Sequence, residues 1–309
     1  MTRSIWIIIA TLSNCCTLAQ TRIDTARTFH IGGIQQYVAL KGNDDTKPLL
    51  LFLHGGPGNS VISYAEKFTT RLQDHFVVVH WDQRQTGKTL SLNKSTELLT
   101  AKQFVSDTRQ LIDTLLAVYQ RPKIYLAAHS WGTFLGFQIA KNFPAKVYAL
   151  FAIGPMINQF ESETLSLNII QQSAIKTGNK TAINELARVK IPFENGDQLF
   201  YHRKWLLKHM GSSAKITMTS VQNWATTWLK IFNEASAVNL FEMAPVIDCP
   251  VYFFVGRNDL QTNSNIADKY YQSLTAPKKG LFWFERSAHS LPTTEPDKLQ
   301  QLIIQLKEE

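Results

Sequence analysis

Residues 123–136 read KIYLAAHSWGTFLG, an apolar strand-like run, a tight Ala128-His129-Ser130-Trp131-Gly132 segment and the start of an apolar helix. A serine with small residues two positions to either side can be forced into a strand-to-helix turn that lifts its hydroxyl above the edge of a sheet. Ala128 stands where that pattern usually has glycine, and the turn tolerates it because the requirement is for little bulk. Five residues with three fixed recur by chance, and a plain helix-capping serine would give the same pentapeptide. The neighbouring chain has to decide between the two.

Outward from this segment the chain alternates. Continuous apolar runs at 49–53, 76–81, 124–128, 147–153, 251–255 and 281–284 predict strands buried on both faces. Between them, 101–119, 132–143, 265–274 and 296–307 have helical periodicity, and Pro144 stops the second of these. Residues 28–40 place apolar and polar positions on either side of Gly32-Gly33, which predicts a hairpin at the sheet edge. Strand–helix alternation requires a mostly parallel sheet with helices on both faces, joined by right-handed crossovers. The alternation breaks over 156–245, which is helix-rich and holds Trp205, Trp224 and Trp228. This stretch is expected to form an inserted helical cap, or lid, over the C-terminal strand ends, where open α/β sheets bind ligands. The expected division is a leader at 1–19, a core at 20–155 and 246–309, and the cap at 156–245.

A serine hydroxyl is a poor nucleophile until a base takes its proton, and the base needs a carboxylate to fix its tautomer. In a strand-turn-helix arrangement of this kind the chain order is serine, acid, histidine. Asp259 follows the run VYFFVG, and His289 follows LFWFE, so each falls on a turn after a late strand. Asp248 is the rival acid, but it precedes its strand. His30, His75, His80, His129, His202 and His209 do not follow a late strand, and the side chain of His129 is expected to point away from Ser130. Acyl transfer also needs fixed donors for an oxyanion. His54-Gly55-Gly56-Pro57-Gly58 follows LLLFL, and the N–H of Gly56, or less favourably Gly55, is expected to pair with that of Trp131.

Five segments together carry a family resemblance: HGGPG at 54–58, WDQR at 81–84 with Gly87, HSWG at 129–132, GRND at 256–259 and AHS at 288–290. The chain resembles the proline iminopeptidase family of α/β-hydrolase-fold serine hydrolases over about 26–155 and 248–305. The resemblance implies the α/β-hydrolase fold and release of an N-terminal residue, often proline, from peptides or amides, with cap carboxylates holding the free α-amine. The family's W-x-x-W-E cluster is altered here to Trp224-Ala-Thr-Thr-Trp228-Leu229, which leaves Glu161 and Glu163 as candidate amine ligands. The altered cluster also keeps an esterase or lactonase acting on a small ester or amide in view. A ligand-binding protein without turnover is a third reading, because one fold hosts many functions. Dehalogenase and epoxide hydrolase chemistry needs a carboxylate where Ser130 stands. Asp82 and Arg84 are explained by a buried ion pair or a turn that shapes the floor of the site.

The composition is ordinary for a packed globular protein: of 309 residues 44% are hydrophobic and 18% charged. The formal net charge of +8 comes from scattered lysines and arginines without a basic run or a zinc pattern, so nucleic acid is not an expected partner. No metal or cofactor is implied. Residues 1–19 have a positive Arg3, an apolar stretch and small residues before Gln20, which predicts a cleaved secretory leader and an exported, periplasmic or secreted, protein. The apolar stretch is too short to span a membrane. Lipoprotein anchoring at Cys15 is the competing expectation, and Asn14 argues against it. Removal of the leader leaves Cys249 as a lone thiol.

Overall fold

A computed structural model describes residues 21–93 and 99–307. The expected leader therefore lies outside the described residues. In chain order the elements are β1 (Ile23–Ile31), β2 (Ile34–Gly42), β3 (Leu49–Leu53), α1 (Glu66–Thr69), β4 (Val77–Trp81), α2 (Gly87–Leu92), α3 (Ala101–Val118), β5 (Ile124–His129), α4 (Trp131–Asn142) and β6 (Val147–Ile153). Five helices follow without a strand: α5 (Gln159–Lys176), α6 (Lys180–Leu186), α7 (Gly196–His209), α8 (Met218–Ser236) and α9 (Leu240–Met243). The chain closes with β7 (Val251–Gly256), α10 (Ser264–Ser273), β8 (Lys279–Phe284), α11 (Leu291–Thr294) and α12 (Pro296–Lys307).

The strands form one eight-stranded sheet in the order β1-β2-β4-β3-β5-β6-β7-β8. β2 is antiparallel to both β1 and β4, and every other pairing is parallel. This is the α/β-hydrolase fold. β3, β4 and β7 are buried at every position, as their unbroken apolar sequence demands of strands covered on both faces. One face carries α3, α4 and α10 through Phe104, Leu111, Phe137 and Tyr270, and the other carries α1 and α12 through Phe68, Leu299 and Ile303.

Two segments differ from the sequence expectation at their starts by two residues or more. The hairpin begins at Ile23 rather than near residue 28, and β8 begins at Lys279 rather than 281. Both strands are at sheet edges, where one side has no partner strand and polar residues are tolerated, so the apolar signal fades before the pairing does. Cys249 is buried among the core residues ahead of β7.

The Trp81-to-Arg84 segment is structural at both of its charged residues. Arg84 and Asp107 form an ion pair, Nε to Oδ2 at 2.9 Å, with both side chains essentially buried. Gln36 donates to the same carboxylate at 2.8 Å and accepts from the Trp81 indole at 2.8 Å, tying the hairpin, β4 and α3 together. Asp82 accepts the Lys88 N–H at 2.8 Å and so fixes the start of α2.

Candidate active site

Ser130 has φ 52° and ψ −120°, a left-handed conformation rarely held by a residue with a side chain. Such a conformation costs of order 1–3 kcal/mol and persists only where the surroundings over-determine it. Here they do. The Ser130 N–H donates to Ile153 O at 3.0 Å, and Ser130 O accepts from the Thr133 hydroxyl and the Thr133 N–H. Gly132 is required by close approach: a Cβ there would come 2.0 Å from Leu53 O. Ala128 replaces the usual glycine because its methyl faces Gly136, where an added Cβ would come within 3.0 Å of it. The turn's need for small bulk is thus met by a pair of positions.

Above this turn, His289 Nε2 lies 2.8 Å from Ser130 Oγ, and His289 Nδ1 lies 2.9 Å from Asp259 Oδ2. A carboxylate can only accept at Nδ1, so Nδ1 carries the hydrogen and Nε2 is left to accept from the serine hydroxyl. Asp259 is fully buried and its second oxygen receives the N–H groups of Gln261 and Thr262 at 2.9 and 3.0 Å. Thr262, not singled out from the sequence, donates its hydroxyl to Asp259 Oδ2 at 2.8 Å and stands 3.2 Å from His289 Nδ1. Burial pushes the Asp259 carboxyl upward, but the adjacent His289 and the hydrogen bonds from His289 and Thr262 outweigh it and hold the group below the ordinary carboxylate range. Asp248 is exposed and stands ahead of β7, away from this cluster.

The two loops that bring acid and histidine together brace each other. Asn258 N–H donates to Ser287 O at 3.2 Å, and the Ser287 hydroxyl donates to buried Glu295 at 2.6 Å. His129 does not simply turn away from the site. Its Nε2 donates to His289 O at 3.1 Å and its ring lies 5.3 Å from that of His289, linking the serine turn to the histidine loop. Burial lowers its pKa to about 4, so it is neutral near pH 7.

The HGGPG loop closes over the serine. A Cβ on Gly55 would come 3.2 Å from Ser130 Cβ, and Gly56 shares a cavity wall with Ser130. Trp131 opens α4 directly after the serine, so its N–H belongs to the first turn of a helix, where backbone donors have no intrahelical acceptor. Gln83 holds both parts: it donates to His54 O at 3.3 Å and accepts from the Trp131 indole at 3.0 Å. The His54 imidazole donates to Gly55 O at 2.7 Å, which makes it a brace within the loop. On the cap side, the Trp224 indole donates to Pro57 O at 2.9 Å and the Trp228 indole lies against Gly58. Four residues apart on α8, both tryptophans project from one face of the helix.

A cavity of about 410 Å³ opens above Ser130 between the sheet edge and the cap. Its lining includes Met156, Gln159, Leu199, Arg203, Val221, Trp224 and Phe232. Neither Glu161 nor Glu163 lines it. Glu161 is exposed, bonded to Asn158 at 2.9 Å at the start of α5. Glu163 is 1% exposed and is held by Arg203 at 2.5 and 2.6 Å and by Gln159 at 2.7 Å. Burial raises the Glu163 carboxyl, yet the Arg203 charge and its hydrogen bonds prevail and keep it low. The structure thus brings Ser130, His289, Asp259, Gly56 and Trp131 to one place and leaves both glutamates outside it. Among the described residues, no group of three or more His, Cys, Asp or Glu could hold a metal ion, and no helix is long and apolar enough to cross a membrane.

Residues 44–297 match the family described as serine aminopeptidase, S33. The chain is 31% identical over 290 residues to the probable aminopeptidase YbaC of Bacillus subtilis (strain 168), covering 86% of this chain and 91% of that protein. It is 23% identical over 283 residues to the proline iminopeptidase of Heyndrickxia coagulans, covering 88% and 94%. Among solved structures it is similar to the proline iminopeptidase of Mycobacterium smegmatis, with a TM-score of 0.66 at 15% identity over 92% of this chain and 98% of that one. At these identities, the structural likeness speaks for the fold.

Proposed function

The chain belongs to the serine aminopeptidase S33 family, and from that premise we propose that it cleaves an amide or ester bond through an acyl-enzyme formed on Ser130. The observation that carries this reading is the unbroken relay from Ser130 Oγ through His289 to Asp259 at the floor of a cavity. In the proposed reaction His289 Nε2 takes the hydroxyl proton as Ser130 attacks the substrate carbonyl. Asp259 stabilises the imidazolium that forms, and the N–H groups of Gly56 and Trp131 receive the oxyanion. His289 then gives its proton to the leaving group. In the second half it activates the water that releases the acyl group and regenerates the serine.

The relatives' names support an amide as the scissile bond and an N-terminal residue as the product, as in a proline iminopeptidase-like aminopeptidase. One observation favours the second reading, a small ester or amide with no free amine. The carboxylates expected to hold an α-ammonium are engaged elsewhere, Glu163 with Arg203 and Glu161 at the start of its helix. Turnover of proline 4-nitroanilide and of 4-nitrophenyl acetate, each with Ser130→Ala as the blank, tests both. Cleavage of the anilide that is abolished by N-acetylating the proline supports the aminopeptidase. Cleavage of the ester alone supports the second reading, and no serine-dependent turnover of either, with no phosphonate adduct on Ser130, would sink the proposal.

A further inference from the structure

Arg203 is the one charged side chain lining the cavity above Ser130 among the described residues. It projects from α7 with 13% of its side chain exposed, so it is part of the wall rather than of the outer surface. The rest of the cap-side lining is largely apolar: Leu199, Leu207, Ile216, Val221 and Phe232. A guanidinium in such a wall is expensive unless its charge is matched. Glu163 matches it from behind, buried to 1% exposure and absent from the lining. The cavity therefore meets the cationic end of the pair first.

The guanidinium is not used up by this pairing. It has five N–H donors. Nη1 donates to Glu163 Oε2 at 2.6 Å and to His202 Nδ1 at 2.8 Å, and Nη2 donates to Glu163 Oε1 at 2.5 Å. His202 cannot compete for the role of cation, because burial lowers its pKa to about 4 and its Nδ1 serves as an acceptor. The Nε–H and the second hydrogen of Nη2 form the guanidinium's other fork. They have no protein partner among the described residues. Two parallel N–H groups in a plane are the geometry that a carboxylate accepts with both oxygens.

The geometry points to an acyl group bearing a carboxylate as the preferred substrate of this hydrolase, seated on the Nε/Nη2 fork of Arg203 while its carbonyl lies over Ser130. The inference rests on Ser130 as the nucleophile. It reverses the charge expected for a pocket that reads a free amine, because an ammonium placed here would face the guanidinium and no wall carboxylate. Gln159 helps to hold the arrangement: its amide donates to Glu163 and to Gln261 O at 2.9 Å, which ties the ion pair to the loop that carries Asp259.

Three 4-nitroanilides of matched acyl length separate the outcomes: succinyl, butyryl and β-alanyl, ending in carboxylate, methyl and ammonium. The expected kcat/KM for the succinyl compound exceeds that for the butyryl compound by about tenfold or more, with the β-alanyl compound slowest. A glutaryl and valeryl pair repeats the comparison with one more methylene. Equal rates for charged and neutral chains at both lengths, or preference for β-alanyl, overturns the inference. Arg203→Gln alone would strand Glu163 in the interior, so the informative variant combines it with Glu163→Gln. In that double variant the succinyl-to-butyryl ratio should fall to about one, whereas Glu163→Gln alone should raise it. An unchanged ratio in the double variant also overturns it. If no substrate turns over and a fluorophosphonate leaves Ser130 unlabelled, the nucleophile assignment itself has failed, a result distinct from a wrong charge preference.

Discussion

The floor and the roof of the cavity are held by different means. On the floor, Ser130, Asp259 and His289 follow β5, β7 and β8, and backbone groups fix the first two: Ile153 O holds the serine turn, and two loop N–H groups hold the acid, which in turn orients the His289 ring. On the roof, Arg203, Glu163 and Gln159 stand on α7 and α5 and hold one another by side-chain contacts. A site fixed by backbone can be read from local pattern and tolerates little change. A site fixed by side chains can be rewritten by a few substitutions without disturbing the sheet. This is a physical reason why one fold keeps its chemistry while its substrates vary.

The sharpest way to probe the floor is Ser130→Ala, which should lower kcat by about 10⁴-fold or more while leaving the thermal transition nearly in place. Retained turnover would move the chemistry elsewhere. Gly132→Ala tests the turn rather than the reaction. Its Cβ would come 2.0 Å from Leu53 O, a backbone atom in a central strand, so a loss of about 3 kcal/mol in a urea titration is expected.

Acid should separate floor from roof less sharply, since buried neutral histidines occur in both. Burial lowers His80 to about 3 and His129 and His202 to about 4. Unfolded histidine titrates near about 6.5, so between about pH 4 and 6.5 the unfolded chain binds more protons than the folded one. Stability should therefore rise with pH across that window, each histidine adding about 1.4 kcal/mol per pH unit at full effect. Chemical denaturation at pH 4.5 and 7.5 checks the sign. His202→Gln should flatten the slope by one proton if the roof unfolds together with the floor.

At the junction of the two, Trp224→Phe removes the indole hydrogen bond to Pro57 O and should cost about 1 kcal/mol, read as a weakened kcat/KM. Glu161→Gln is expected to do least. The residue is exposed and lies outside the cavity, so stability should stay within about 0.5 kcal/mol and KM should not move.

Much of the floor was legible in the sequence because its signals are local. Runs such as 49–53 and 251–255 announce strands covered on both faces, and the small residues around Ser130 announce the turn. Asp259 and His289 could be found by counting strands. Thr262, Gln83 and the bracing role of His129 were not legible. Gln83 and His129 find their partners in segments distant in sequence, Thr262 bonds Asp259 only three positions away, and a polar residue after a strand looks the same whether it braces a site or faces water. The roof was harder still. Glu163 and Arg203 are forty positions apart, and nothing in either one's neighbours indicates that they pair or that the arginine, rather than the glutamate, reaches the cavity. β1 and β8 were recognised as strands but their first residues were not, since edge strands pair without needing an apolar stretch.

The grip of Trp224 and Trp228 on Pro57 and Gly58 bears on how such proteins can be recombined. A cap transplanted from a relative as a cassette would bring new entry and exit points but would have to reproduce two indoles, one turn apart, facing a loop encoded about 170 positions earlier. The natural unit of exchange is therefore α8 together with the HGGPG segment, two pieces of one part that the gene keeps at a distance.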